Sequence, residues 1–252
     1  MRAMRYLSRA VAAAFLLTVL SASLPAQEAK NIRTILIVKV KPDRRGDWQA
    51  AVKDFIALKK KAASDEYFTT WSSETGPGEY AIVWHSAKWK EFDEEQDPKT
   101  KDVAGELGSL FARFDGATES TEVWVDEIQP DMGFSSGAGI PKLVRTGRTR
   151  VVPDKLEEAL AILKSDALPA LKKAGVSEFG VAVARYGTPI NEIHTFVGLN
   201  AWADFDSPWG IQKGMSADAY KAYLAKIRPD VVFSEYDLWR FKPELSFVPE
   251  AK

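Results

Sequence analysis

The 252-residue chain has two histidines and no cysteine. Thiol nucleophiles, disulfides and thiolate metal sites are therefore excluded. Acid–base chemistry is left to His85, His194 and the carboxylates near them. Glu192 and His194 are two positions apart, and on a regular strand that spacing puts both side chains on one face. Such a pair can act as a general base with an orienting acid. It can equally be a strand-end carboxylate that satisfies a structural histidine. Arg148, Arg185 and Tyr186 could present donors to an anionic or phenolic ligand beside His194. The remaining candidate ligand-binding side chains are His85, Trp71 and Trp209. Trp71 and Trp84, on neighbouring strands, could line an aromatic pocket or simply fill a core. Trp209, in Ser207-Pro208-Trp209-Gly210, could form a lid or a subunit contact. A metal needs three or four converging ligands; only His85, His194, Glu79 and Glu192 meeting on one side of their sheets would supply them. No metal site and no cofactor are assigned.

These residues sit in a pattern of strands and helices that occurs twice. In the first half, residues 32–40 read as a β-branched strand, closed by Pro42-Asp43. Asp43 can cap the helix that follows, where Trp48, Val52, Phe55, Leu58 and Ala62 form one apolar stripe. Lys59–Lys61 end that helix, and they and Asp93–Gln96 read as solvated charge runs. Strands are expected at 67–73 and 80–86 around the turn at Thr75-Gly76-Pro77-Gly78. A helix opens at Asp97-Pro98 with Val103, Leu107, Leu110, Phe111 and Phe114 inward. Asp115-Gly116 stops it, and a strand at 122–128 closes the unit. The order is β-α-β-β-α-β.

Residues 131–141, rich in Gly and Ser, read as a linker. The order then repeats. Residues 144–152 form a strand ending at Pro153-Asp154, and Leu156, Leu160, Leu163 and Ala167 mark a helix that Pro169 kinks or restarts. Strands are expected at 179–186 and 192–200. Ser216 caps a helix with Tyr220, Tyr223, Leu224 and Ile227, and a strand over 232–241 closes the unit. Three matches mark the duplication: Pro42-Asp43 with Pro153-Asp154, Trp89-x-x-Phe92-Asp93 with Trp202-x-x-Phe205-Asp206, and Glu122-Val123-Trp124 with Asp237-Leu238-Trp239. Their spacings are 111, 113 and 115 residues, an ordered drift that small loop insertions produce. The pairing of Trp89 with Trp202, and of Trp124 with Trp239, marks these as core or corner residues. The domain reading is a first repeat over 31–130, a linker over 131–141, a second repeat over 142–242 and a tail over 243–252.

A β-α-β-β-α-β unit makes a four-stranded antiparallel sheet with both helices on one face. The bare face is apolar and must be covered, which two such units achieve by packing sheet to sheet. The expected fold class is α+β, tandem ferredoxin-like repeats forming a pseudo-dimeric α/β barrel. The pattern over residues 31–242 resembles the dimeric α/β-barrel superfamily, which includes antibiotic-biosynthesis monooxygenases, stress-responsive barrel proteins and NIPSNAP-like proteins. Leu168-Pro169-Ala170-Leu171-Lys172-Lys173-Ala174-Gly175 and the Pro-Asp before each first helix carry the likeness. The resemblance implies a small, flat ligand in the cleft between a sheet and its helices, and in some relatives cofactor-free oxygenation. It also implies that a haem ligand would come from the helical side, where this sequence places no histidine.

Three functions follow as expectations. The first is an exported protein that binds an apolar or aromatic small molecule. The second is a cofactor-independent monooxygenase or isomerase using His194, and the third is a structural or partner-binding barrel. The more polar strands of the second repeat favour a site there, with the first repeat as support. Full-length formal charge is −1; without Arg2, Arg5 and Arg9 the balance is 31 basic against 35 acidic residues, and no basic tract suits nucleic acid. Monomer and homodimer are both compatible with a fused pair of units. Residues 1–26 have the physics of a secretory signal: three arginines, an apolar run from Ala10 to Leu20, and small residues before Ala26. That run is too short to span a bilayer, so export to the periplasm or medium with no membrane anchor is expected. N-terminal sequencing of the mature protein should begin at Gln27; an intact leader in the exported fraction would refute the cleavage reading.

Overall fold

A computed structural model describes residues 31–249, apart from 77, 94–97, 138 and 207–209. The leader assigned to 1–26 lies outside the described residues, as do Pro77, Glu94–Gln96, Asp97, Ala138, Trp209 and the last three tail residues. The chain divides into two compact units. Of the described residues, one unit comprises 31–72, 78–123 and 242–249, and the other 73–76 and 124–241.

The first unit contains β1 (Ile32–Val40), α1 (Arg45–Lys61), β2 (Thr69–Ser73), β3 (Glu79–Ser86), α2 (Ala104–Ala117) and the first part of β4 (Thr118–Ile128). Its strands are ordered β4-β1-β3-β2, and β1 runs antiparallel to β3 from Ile32↔Ser86 to Lys39↔Glu79. Alternation along the strands sends Leu36, Val38, Val40, Tyr80 and Ile82 to one face. There they meet Trp48, Val52 and Phe55 of α1 and Leu107 and Leu110 of α2 in one buried cluster. Aromatic rings fill this layer. Trp48 stacks on Tyr80 at 4.3 Å, and Phe114 stands edge-on to Trp48 at 6.4 Å and to Phe55 at 6.5 Å.

Three readings of this half change. Lys59 is not a solvated charge: it is 3% exposed, and its ammonium group is bonded to Glu66 and lies 5.7 Å from the Phe55 ring centroid. A partly buried carboxylate makes that burial tolerable. The closing strand begins at Thr118 rather than 122, directly after α2, which runs past Gly116 and buries Ala117. Residues 243–249 are no loose tail, since Leu245 and Phe247 join the first unit's core and Phe68 pairs with Phe247.

The second unit contains β6 (Leu143–Val151), α3 (Leu156–Ile162), a π-helical segment (Leu163–Ala167), α4 (Leu168–Lys173), β7 (Glu178–Tyr186), β8 (Glu192–Leu199), α5 (Ile211–Gly214), α6 (Ala217–Ile227) and β9 (Val231–Phe241). Its strand order is β9-β6-β8-β7. The end of β4 pairs with β7, and so does a short strand β5 (Phe134–Ser135). Part of the expected linker is thus structured: Met132 is buried and Phe134 lies 6.1 Å from Phe179. Pro169 has no N–H and crowds the carbonyl four residues back. The helix accommodates it by a π turn just before it rather than by breaking. Ser216 caps α6, its Oγ accepting from Ala219 N–H at 3.2 Å.

Both Trp-x-x-Phe stretches form 3₁₀ corners, Trp89–Phe92 and Trp202–Phe205. Their tryptophans are 41% and 51% exposed, so they pack on the corner phenylalanines and not in a core. The last repeat pairing is corrected as well. Strand β4 (118 to 128) and strand β9 (231 to 241) are displaced by 113 positions, and their buried residues coincide at that displacement. Trp239 is therefore the counterpart of Asp126, and Trp124 of Asp237. A two-residue slip preserves strand faces, which is why the tryptophan match misled.

Close approach in the second unit depends on Gly214, where an added Cβ would lie 1.9 Å from the backbone oxygen of Ala170. At Gly108, exposed within α2, an added Cβ meets nothing within 4 Å. Gly214→Ala should cost about 1–3 kcal/mol, whereas Gly108→Ala should stabilise by up to about 1 kcal/mol. Urea denaturation of the two variants distinguishes them; equal effects would refute the helix contact.

Candidate functional site

The second sheet has two unlike faces, and parity along its strands assigns every side chain to one of them. In β8, Glu192 and His194 lie on one side, and Ile193, Thr195 and Val197 on the other. The register Arg148↔His194 and Arg150↔Glu192 adds the two arginines of β6 to the first face. Arg148↔Glu235 adds a residue of β9, and Asp126 arrives from the end of β4. The helices cover the opposite face, where Val151, Ile193, Val197, Leu160, Leu171, Tyr223 and Ile227 share a core.

On the face away from the helices, a buried polar chain forms. His194 Nδ1 is 2.8 Å from Asp126 Oδ2, and Nε2 is 3.1 Å from Glu192 Oε1. Arg148 Nε donates to Glu192 Oε1 at 2.8 Å, and Arg150 Nη2 donates to Glu192 Oε2 at 3.2 Å. Arg148 also reaches Glu235 at 3.5 Å, and its guanidinium lies 4.4 Å from the Trp124 ring centroid. Glu192 and Asp126 are both 0% exposed. Burial alone would raise the Glu192 carboxyl, but hydrogen bonds from His194 and Arg148, with their charges, hold it at about 2. Carboxylates only accept, so both histidine contacts are hydrogen bonds only when both ring nitrogens carry protons. An imidazole held on both sides in this way braces three strands, and neither nitrogen is aimed at the helix side.

On the helix-covered face lies a cavity of about 560 Å³. Its floor comes from β6, β7, β8 and β9, and its roof from the π segment, α4, α5 and α6. The walls are mostly apolar: Leu163, Leu171, Phe179, Ile193, Leu224 and Ile227 contribute. Arg145 and Tyr236 bring polarity, with the Arg145 guanidinium 3.8 Å from the Tyr236 ring centroid. Gly147 makes room for that tyrosine, because a Cβ there would sit 2.8 Å from Tyr236 Cε1. Tyr223, also in the wall, is pushed up to about 12 by burial, then by Tyr236, Tyr220 and Asp166. Its phenol stays a hydrogen-bond donor across ordinary pH.

The structure thus brings Glu192, His194 and Arg148 together, but as a strand brace and not at the cavity wall. Arg185 is half-exposed and ion-paired to Glu127, and Tyr186 is 65% exposed. His85 is exposed on β3 of the first unit, in register with Arg33. Trp71 lies opposite Ala81, on the face away from the helices, and its Nε1 donates to Thr69 Oγ1 at 3.0 Å. Trp84 packs against the helix-side core, so the two tryptophans do not share a pocket. Among the described residues no group of three or more His, Cys, Asp or Glu could hold a metal ion.

No family model and no curated protein matches the chain. Solved structures do. A candidate monooxygenase from Fusobacterium nucleatum superposes with a TM-score of 0.61 at 14% identity, covering 85% of this chain and 94% of that one. An anthrone oxidase-like protein gives 0.58 at 14% identity, covering 85% and 92%. A candidate monooxygenase from Lactobacillus acidophilus gives 0.57 at 10% identity, covering 88% and 100%. The chain has the dimeric α/β-barrel fold. At these identities the likeness concerns fold alone.

Within this dimeric α/β-barrel chain, the cavity residues were legible only in part. Arg145 and Arg148 are three apart on one strand, so parity alone sends them to opposite faces. Asp126 carried no signal, because its counterpart in the other repeat is a tryptophan. The brace has a pH signature. The Glu192 carboxyl is lowered from 4.5 to about 2, so its contribution is complete above about pH 5 and lost as pH falls towards 2. That contribution is on the order of 3 kcal/mol. The melting temperature should drop across this window, and the drop should be much shallower in Glu192→Gln, which starts several kcal/mol less stable. Parallel acid profiles would refute the brace.

Proposed function

We propose that this protein, exported through its N-terminal leader, binds a small, flat, largely apolar molecule between the sheet and helices of its second unit. The cavity of about 560 Å³ carries this reading. Its size suits a compact ligand, and its mix of apolar walls with a few grouped polar side chains is typical of ligand pockets. The sequence of the first unit supports it by contrast. At the equivalent positions Trp48 becomes Ala159, Tyr80 becomes Ile193 and Phe114 becomes Ile227. Three rings of the first unit are thus replaced by smaller side chains in the second, while Leu107 and Leu110 become Tyr220 and Tyr223. Proteins similar in fold include an anthrone oxidase-like protein, whose name refers to a flat aromatic ketone. That association carries no residue role.

Chemistry at His194 draws no support from its position, since it braces strands on the other face. The test uses N-phenyl-1-naphthylamine, a neutral aromatic probe that fluoresces when buried. Wild-type protein should bind it saturably. Ile227→Phe, which restores the ring of the first unit, should weaken binding at least tenfold with the melting temperature unchanged or raised. No saturable binding, or equal binding by the filled variant, would overturn the proposal.

A further inference from the structure

We infer that Tyr223 selects the ligand of this cavity: its phenol donates a hydrogen bond to a neutral acceptor oxygen, such as a carbonyl, carried on the ligand's ring system. This rests on the binding reading above and adds the anchoring residue and the polar group that it reads. Other polar side chains of the wall are engaged or exposed. Thr149 Oγ1 and Ser234 Oγ lie 3.4 Å apart, Arg145 rests on the Tyr236 ring, and Gln212 and Arg228 are exposed. Tyr223 differs. It is 8% exposed, and among the described residues none hydrogen-bonds its hydroxyl.

The duplication shows what is added at this position. The counterpart of Tyr223 in the first unit is Leu110, which is 3% exposed in the ring-packed core there. An apolar side chain suffices in that layer. In the second unit the same place on α6 sends a ring into the core beside Leu171, Ile193 and Ile227, and with it an oxygen. The ring lies 6.4 Å from that of Tyr220, the two planes 27° apart. After burial, Tyr236, Tyr220 and Asp166 are the groups that bear on the Tyr223 phenol and hold it up at about 12. Two of them, Tyr236 from β9 and Tyr220 from α6, also line the cavity. The third, Asp166, is engaged by Lys226 at 2.7 Å and by Ser165 at 2.8 Å. A phenol that stays protonated always presents a donor. Solvent in a cavity can receive that donor. A ligand that displaces the solvent must supply an acceptor or leave the donor unpaired among apolar side chains, which is costly. No charge enters the contact, so the preference is for an acceptor oxygen on a neutral molecule.

The experiment pairs 9-fluorenone with fluorene, flat molecules that differ in a carbonyl against a methylene. Each is titrated against bound N-phenyl-1-naphthylamine. Wild-type protein should bind 9-fluorenone about tenfold more tightly than fluorene, the worth of one hydrogen bond to a buried donor. Tyr223→Phe, which removes only the hydroxyl, should bind the two equally, and Tyr220→Phe should keep the preference. Infrared spectroscopy reads the contact itself. The carbonyl stretch of 9-fluorenone should lie at lower frequency on wild-type protein than in an apolar solvent, and Tyr223→Phe should abolish that shift. Equal affinity of wild type for the two molecules, a preference that survives in Tyr223→Phe or is lost in Tyr220→Phe, or an unshifted carbonyl stretch overturns the Tyr223 assignment and leaves the cavity reading standing. Failure of the naphthylamine probe to bind, or equal probe binding by Ile227→Phe, overturns the cavity reading itself.

Discussion

A sheet with helices on one face must fill the layer between them, and how each unit meets that requirement decides the rest of this molecule. In the first unit Trp48, Phe55, Tyr80 and Phe114 occupy the layer with stacked and edge-on rings. Interiors pack at crystal-like density, so rings of this size leave little room. In the second unit the counterparts of Trp48, Tyr80 and Phe114 are Ala159, Ile193 and Ile227, and a π turn lies at Leu163–Ala167. Leu163 and Ala167 of that turn face the open space. The same plan of strands and helices therefore carries a ring-packed layer in one unit and a layer with a cavity in the other.

Besides its helix-side core, the second sheet joins its strands by polar contacts on the opposite face. There Asp126, Glu192, His194 and Arg148 link β4, β8 and β6 through hydrogen bonds at 2.8 to 3.1 Å. Asp126 and Glu192 are fully buried, and each has His194 beside it, with Arg148 also on Glu192; such partners are the condition under which buried carboxylates are tolerated. The division of labour follows strand parity: charges that brace the sheet lie on one side, and Arg145 and the tyrosines lie on the other.

The candidate pair of Glu192 and His194 came from residue types and spacing alone. Glu192 and His194 do share a face and do touch. What the spacing could not show was the third member, Asp126, which arrives from β4 across 68 residues of chain and occupies the remaining ring nitrogen. Likewise Lys59 reads as the end of a basic run, yet Glu66 and Ser64 meet it in a buried pocket formed by the turn after α1.

Local sequence determined whatever depends on short periods: the two β-α-β-β-α-β orders, most strand and helix limits to within a few residues, the Ser216 cap, the disturbance at Pro169 and the face each strand residue occupies. These follow from side-chain alternation and helical spacing, which act within a few residues. The duplication was equally visible, and with it the fold. Tertiary structure alone decided which face of the second sheet the helices cover. From that followed the roles of Arg148 in the brace and Arg145 in the cavity, the recruitment of Asp126, and the docking of Leu245 and Phe247 into the first core. Those outcomes depend on contacts between residues far apart in the chain and on the volume left between layers, quantities that no local pattern encodes.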